Sequence, residues 1–216
     1  VSTVFKPGSS TAVLHFNTER GPFQDQRLRH LIAASIDRLA VAKLCDKNAL
    51  AYRAVGLLPP SISRWRDGQR QDPRRMKALQ EEIGADMPSR VKLLLIPASR
   101  EYLPQPWAVA EYVAEQLGGL GIEVEIVQLK GFEPYVEKLK EGDHDLVLSG
   151  WITDTPDPAD FLESFLSTDA IPRPGQRLSI HANNSRYSDE EMDELLARFR
   201  LDPTQANQEA ILRKAA

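Results

Sequence analysis

The residues with the clearest chemical potential lie in one segment, GWITDTPDPADFLESFLS, at positions 150–167. An apolar run leads into Trp151, and Asp154 follows three residues later. An aromatic wall and a carboxylate at the end of a buried strand favour a cationic or amine-bearing ligand. Coulomb attraction and contact with a π face both stabilise an ammonium group in a partly dry site. The segment therefore predicts a binding site formed by Trp151 and Asp154.

Metal binding has less support in the same segment. Asp154, Asp157 and Asp160 recur every third residue and offer the oxygen ligands that a hard cation prefers. Prolines separate them, however, and Asp157-Pro158 is a typical helix start, with Asp157 as the N-cap and Asp160 as a first-turn acid. The four histidines are far apart in the chain and Cys45 is the single cysteine, so zinc-type spacing is absent. We predict no bound metal and no cofactor.

Catalytic motifs are also missing from the sequence. The chain contains no G-x-S-x-G motif, and its glycine-rich stretch at 118–121 lies between a predicted helix and a strand, on the wrong side for a phosphate loop. A pair of carboxylates near Asp154 leaves a glycosidase as the one enzymatic alternative. We predict a binding protein and not an enzyme.

Composition indicates one sizeable α/β domain. The chain has 216 residues, 42% of them hydrophobic, and a net charge of −4, which carries no nucleic-acid signature. Residues 20–100 hold 16 Lys and Arg against 8 Asp and Glu, but the arginines at 64–75 lie in a Pro/Gly/Asp-rich connector in which Trp65 is the one aromatic residue. No apolar run approaches the roughly 20 residues that a membrane span needs. We predict that this chain binds no nucleic acid.

The first part of the chain predicts one strand followed by three helices. Residues 11–17 alternate in polarity, as a strand does. Asp25, Asp37 and Asp72 are candidate caps for helices that end near positions 39, 45 and 83. The first helix has apolar residues at helical spacing: Leu28, Leu31, Ile32, Ser35, Ile36 and Leu39.

Residues 91–150 are the best organised part of the sequence. Strands at 91–97, 122–129 and 144–150 alternate with helices at 105–117 and 132–140, which predicts a βαβαβ unit with parallel strands. Ligands of such sheets bind beyond the carboxyl ends of the strands, where Trp151 and Asp154 follow. Three helices are then predicted: 157–166, one from Ser188 with a Ser188–Glu191 capping box, and one from Asp202-Pro203.

Three segments resemble the family 5 extracellular solute-binding proteins, the dipeptide and oligopeptide receptors of bacterial ABC importers. FNTERGPFQDQRLRHLIAASIDR at 16–38 is similar to that family's F-N-T, P-F, D-x-R-x-R and A-x-x-I-D-R elements. The segment at 150–168 resembles its W-x-x-D-x-x-D-P-x-x-F-L motif. NNSRYSDEEMDELL at 183–196 resembles its N-x-x-x-Y-x-x-x-x-x-D-x-L-L motif.

The resemblance implies an α/β fold of the periplasmic-binding-protein type II kind, a βαβαβ mixed sheet flanked by helices. Residues 1–216 would form the single C-terminal lobe of a two-lobed protein. The ligand would be a peptide or another small solute, with Asp154 binding its α-ammonium and Trp151 forming a pocket wall. The resemblance also implies a monomer, an ABC permease as partner and a periplasmic or extracytoplasmic location.

Two expectations concern the parent protein. The chain starts at Val1 and stops within a predicted helix, so we expect it to be a piece of a longer polypeptide. The alternative to a transport receptor is the ligand-sensing domain of a helix-turn-helix transcription regulator, since the same two-lobed domain also occurs in such proteins.

Overall fold

The computed structural model describes residues 8–45, 51, 53–54, 56–62, 72–153, 155, 157–176 and 183–215. Strands and helices alternate through the middle of the chain, as the sequence predicts for an α/β protein. The strands are β1 Ser10–Phe16, β2 Arg90–Leu95, β3 Glu123–Gln128 and β4 Leu146–Ile152. The helices are α1 Gln26–Ser35, α2 Arg38–Cys45, α3 Pro73–Ile83, α4 Pro106–Gly118, α5 Phe132–Glu141, α6 Pro158–Leu166, α7 Glu190–Leu201 and α8 Gln205–Lys214.

The four strands form one mixed sheet in the order β1-β4-β2-β3. Strand β2 lies parallel to both β3 and β4, whereas β1 runs antiparallel to β4, with Ser10 opposite Ile152 and Phe16 opposite Leu146. The predicted βαβαβ unit with a mixed sheet is therefore confirmed. The carboxyl ends of β2, β3 and β4 lie at one edge of the sheet, which we call the carboxyl edge, and the beginning of β1 lies beside them.

Two apolar clusters hold these elements together. The main cluster combines the central strands with residues of α1, α4 and α5; Leu93, Leu95 and Leu146 in it are fully buried. The second cluster joins α6, α7 and α8, and Trp151 and Val13 pack against it from β4 and β1. Because β1 and β4 touch both clusters, they fix the position of α6 relative to the sheet.

Most predicted helix starts are confirmed by side-chain caps. The carboxylates of Asp25, Asp37, Asp72 and Asp157 each accept a hydrogen bond from a backbone amide two residues later, at Arg27, Leu39, Arg74 and Ala159. Each bond satisfies one of the amides that a helix start leaves unpaired. None of the helices in the described parts of the chain has the length and apolar character needed to cross a membrane.

Three predicted boundaries are wrong. Helix α1 ends at Ser35, so Ile36 is extended and Leu39 belongs to α2, where its side chain is 49% exposed. Asp189, and not Ser188, caps α7 by accepting from the amide of Met192. Asp202 ends α7 and does not start a new helix. Helix α8 begins after Thr204, whose hydroxyl accepts a hydrogen bond from the amide of Asn207.

Candidate functional site

Trp151 lies at the carboxyl edge, as predicted, but inside strand β4 and not after it. It is the residue before the last of β4 and stands opposite Thr11 of β1. Its indole Nε1 donates to Oδ2 of Asp160 at 3.0 Å, and its ring meets Phe165 edge-on with the centroids 6.4 Å apart. The side chain is partly buried, so one part packs on the second cluster while another part stays accessible.

Asp154, the predicted ammonium ligand, lies outside the described residues. On one side of it, Thr153 is buried and its hydroxyl donates to the carbonyl of Thr155 at 2.6 Å. On the other side, Asp157 caps helix α6 through a 2.9 Å bond to the amide of Ala159. The structure therefore leaves the role of Asp154 a prediction.

An exposed cation, which the sequence reasoning did not single out, lies at the same edge. Arg100 follows β2, and its guanidinium lies over the ring of Phe132, 5.6 Å from the centroid. Phe132 begins α5 after β3, so this contact joins the loops that follow two parallel strands. Within the described parts of the chain, no carboxylate lies within 4.0 Å of Arg100. Its Nη1 donates to the carbonyl of Ser99 at 3.4 Å, and the residue as a whole is exposed.

Gly150 allows the ring of Tyr102 to lie across β4, on the face opposite to that of the Trp151 side chain, because successive residues of a strand point to opposite faces. A Cβ at Gly150 would be 2.6 Å from Cδ2 of Tyr102 and would overlap the carbonyl oxygen of Thr11. Burial raises the pKa of the Tyr102 phenol, while the nearby charge of Arg100 opposes that shift. Tyr102 thus connects the loop that carries Arg100 with the strand that carries Trp151.

We expect Gly150→Ala to lower the free energy of unfolding by about 1–3 kcal/mol, the usual cost of overpacking. The added methyl group must displace Tyr102 or separate β1 from β4. Gly118→Ala is the control, since nothing lies within 4 Å of its Cβ position and alanine favours the helix there. Urea unfolding of both variants tests this expectation, and equal midpoints would contradict it.

At the opposite edge of the sheet, where β4 begins and β1 ends, lies a buried polar layer that sequence spacing did not reveal. His15 Nδ1 lies 3.2 Å from the hydroxyl of Ser185, and His144 Nε2 lies 3.0 Å from the carbonyl of Asn184. The amide group of Asn17 donates to the carbonyl of His144 at 2.8 Å. The amide of Thr18 donates to the carbonyl of Ser185 at 2.8 Å, so two of the segments that carry the family resemblance meet in space. The alternation of β1 places His15 inward, which is the one signal that the sequence contains.

An ion pair between Glu19 and Arg186 also joins the segments 16–38 and 183–196. Arg186 is 4% exposed and donates to Glu19, to the carbonyl of Leu139 at 3.2 Å and to that of Pro172 at 2.9 Å. Burial alone would raise the pKa of Glu19, but hydrogen bonds from Arg186 and Arg173 outweigh it and hold that pKa below its ordinary value. The carboxylate is therefore held in its charged form.

The described residues contain no group of three or more His, Cys, Asp or Glu side chains that could hold a metal ion. In the acidic segment, Asp157 is engaged as a helix cap and Asp160 as the acceptor for Trp151.

Comparison with known proteins shows the family. The family model described as "Bacterial extracellular solute-binding proteins, family 5 Middle" matches residues 1–172. The "Dipeptide-binding protein" of Escherichia coli (strain K12) is 28% identical over 164 residues, which are 74% of this chain and 30% of that protein. "Di/tripeptide-binding protein 2" of Pseudomonas aeruginosa (strain UCBPP-PA14) is 30% identical over 202 residues, 92% of this chain and 36% of that protein.

Solved structures agree with this result. The dipeptide binding protein of Pseudoalteromonas sp. SM9913, solved in complex with Met-Leu, superposes with a TM-score of 0.80 at 26% identity. The superposition covers 96% of this chain and 41% of that one, so the chain spans well under half the length of the proteins it matches. The resemblance seen in three sequence segments is thus confirmed: the chain is a member of the bacterial extracellular solute-binding proteins of family 5.

Proposed function

We propose that residues 1–216 form the C-terminal lobe of a two-lobed solute-binding protein that captures peptides or similar amine-bearing solutes between its lobes. The protein delivers them to an ABC permease. The observation that supports this most directly is the carboxyl edge, where Trp151 lies at the end of β4 and the exposed Arg100 lies in the loop that follows β2. Ligands of open α/β sheets bind at this position.

A peptide is a zwitterion, and the edge offers groups suited to both of its ends. Asp154 is the acceptor for the α-ammonium, with Trp151 as the aromatic wall beside it. Arg100, pre-oriented over Phe132, is the donor for the terminal carboxylate, since a guanidinium binds a carboxylate with two parallel hydrogen bonds. Phe132 and Trp107, which are 45% and 47% exposed, add apolar surface on the same side.

The names of the relatives support a peptide ligand. Two of the proteins described above are named for dipeptides or di- and tripeptides, and the third was solved with the dipeptide Met-Leu. The family's description as extracellular supports a periplasmic or otherwise extracytoplasmic location. We propose a monomer that does not catalyse a reaction and does not bind nucleic acid through this chain. The comparisons give no support to the transcription-regulator alternative.

Binding measurements on variants of the intact protein test whether Asp154 binds the ammonium group of a peptide and whether Arg100 binds its carboxylate. We expect Asp154→Ala to weaken binding of Met-Leu by about 2 kcal/mol, tens of fold, because a charge-assisted hydrogen bond to the ammonium is lost. Arg100→Met should weaken it by a similar factor while leaving the apolar contact with Phe132. Isothermal titration calorimetry gives both dissociation constants.

Capped peptides identify which end each residue binds. N-acetylation of Met-Leu should weaken binding to the wild type but change little in Asp154→Ala, and C-amidation should change little in Arg100→Met. Arg90→Met is the matched control, because Arg90 is an exposed arginine at the opposite end of β2, paired with Glu125. Undiminished binding by Asp154→Ala, or equal sensitivity of all variants to both caps, would contradict the assignment.

A further inference from the structure

The bond between Trp151 and Asp160 has a function beyond packing. We propose that Asp160 is a positioning residue of the binding site: it holds the Trp151 indole in the orientation that the ligand meets. This inference rests on the proposed function, in which Trp151 is the pocket wall. The ligand itself contacts the ring and not the Asp160 carboxylate, whose Oδ2 accepts from the indole Nε1 at 3.0 Å.

Helix α6 holds the indole ring at two points. Asp160, in the first turn, binds the polar edge, and Phe165, five residues later, packs edge-on against the ring with the planes 74° apart. The main chain of Trp151 is fixed separately, because β4 pairs with β1 opposite Thr11. With the backbone held by the sheet and the ring held by α6, one indole orientation is favoured before any ligand arrives.

Asp160 is itself held in place. Helix α6 begins with Asp157 as its N-cap and Pro158 at its first position, so the first turn is well defined. The Asp160 carbonyl accepts from the hydroxyl of Ser164, and its carboxylate lies near the positive end of the helix dipole. The acceptor oxygen is therefore held in place for the indole N–H.

The benefit to the protein is preorganisation. A side chain that must be ordered when a ligand binds costs roughly 0.5–1.5 kcal/mol of affinity, which corresponds to about twofold to tenfold in the dissociation constant. Without its acceptor, the Trp151 ring would lose the bond that fixes its polar edge, while its packing against Phe165 would remain. The loss should therefore appear in ligand affinity through Trp151, and not as a general loss of structure.

A double-mutant cycle in the intact protein, with Met-Leu as the probe, tests the proposal. We expect Asp160→Ala to weaken binding about twofold to tenfold, whereas Asp160→Asn, whose amide oxygen still accepts the bond, should bind like the wild type. In a Trp151→Phe background there is no indole N–H to hold, so Asp160→Ala should then have no further effect. Additive effects of Asp160→Ala and Trp151→Phe would overturn the proposal.

Two further measurements distinguish a positioning role of Asp160 from an effect of its charge. They also distinguish failure of this proposal from failure of the proposed peptide binding. Glu163→Gln removes one charge from the same helix without touching Trp151, because Glu163 pairs with Arg200, and it should leave affinity unchanged. If Asp160→Asn loses as much affinity as Asp160→Ala, the carboxylate acts through its charge and positioning is refuted.

¹⁵N relaxation of the Trp151 indole, which needs no ligand, should show a mobile ring in Asp160→Ala and a rigid one in Asp160→Asn. A ring equally rigid in both overturns the proposal, whereas absence of wild-type peptide binding contradicts only the proposed function.

Discussion

Replacing Arg186 by methionine should lower the free energy of unfolding by about 3 kcal/mol or more. The guanidinium is almost completely buried and donates to Glu19 and to the carbonyl oxygens of Leu139 and Pro172. Methionine fills part of the volume but removes the arginine donor from the Pro172 carbonyl and from the Leu139 carbonyl, which keeps only the amide of Gly142 at 3.1 Å. A buried group left without a donor costs about 1–3 kcal/mol, and breaking a buried ion pair adds to that loss. Chemical denaturation at neutral pH measures the effect.

The backbone at Arg186 adds to the argument. Its φ is +53°, in the left-handed region, and Gly142 opposite it has φ +66°. A Cβ at Gly142 would lie 2.9 Å from Cζ of Arg186, so the glycine makes room for the guanidinium. The left-handed backbone of Gly142 ends helix α5, and the absence of a side chain there leaves space for the guanidinium. Arg186→Lys should therefore restore little of the stability, because an ammonium group cannot reproduce the fork of donors.

Arg200→Met is the matched control for this loss. Arg200 also binds a glutamate, Glu163, through two nitrogens, but its side chain is 70% exposed. Exposed ion pairs contribute little to stability because solvent screens them, so this variant should remain close to the wild type. If Arg186→Met and Arg200→Met lower the free energy of unfolding equally, the buried contacts of Arg186 do not stabilise the fold more than an exposed ion pair does, and the prediction is wrong.

Acidification from pH 7 to pH 5 should lower the free energy of unfolding by about 4 kcal/mol through the two buried histidines. Burial, with a smaller contribution from the neighbouring His144, lowers the pKa of His15 to about 3. Burial also lowers the pKa of His144 to about 4; Arg186 and Arg20 act in the same direction, while the Asn184 carbonyl and Asp143 oppose it. Both imidazoles are therefore neutral in the folded protein at pH 5.

The sign follows from proton uptake by the unfolded chain. Its histidines have an ordinary pKa near 6.5, so below that pH the unfolded state binds two protons that the folded state does not. The stabilisation is fully present above about pH 6.5 and is lost as the pH falls toward 4. Each histidine contributes about 2 kcal/mol of the loss by pH 5. Glu19, whose pKa is lowered, adds to it only at a pH below its ordinary value of 4.5.

Variants that cannot titrate isolate the effect. His15→Asn keeps a polar group near the position of Nδ1, and His144→Gln keeps a donor near that of Nε2. The double variant should lose much less stability between pH 7 and pH 5 than the wild type, whatever its stability at pH 7. Urea unfolding at both pH values gives the free energy of unfolding of each protein. If the wild type and the double variant lose the same stability between pH 7 and pH 5, the prediction is wrong.

Local chemistry allowed much of the fold to be predicted from the sequence. Asp25, Asp72 and Asp157 were identified as caps because an aspartate at a helix start bonds within two residues of itself. The βαβαβ unit followed from strands and helices that alternate at short spacing. The three errors at helix ends have a related cause. At α1, α7 and α8, several adjacent residues could cap or continue the helix, and packing selected among them.

The sequence by itself determined the family, the α/β architecture and the position of Trp151 at the carboxyl edge, because motifs, periodicity and strand ends are properties of neighbouring residues. Only the tertiary structure decided that Trp151 binds Asp160, that Arg100 lies over Phe132 and that Glu19 meets Arg186. The last of these pairs lies 167 positions apart in the chain. Such contacts depend on how separate elements pack, and the spacing of residues in one chain carries no record of that geometry.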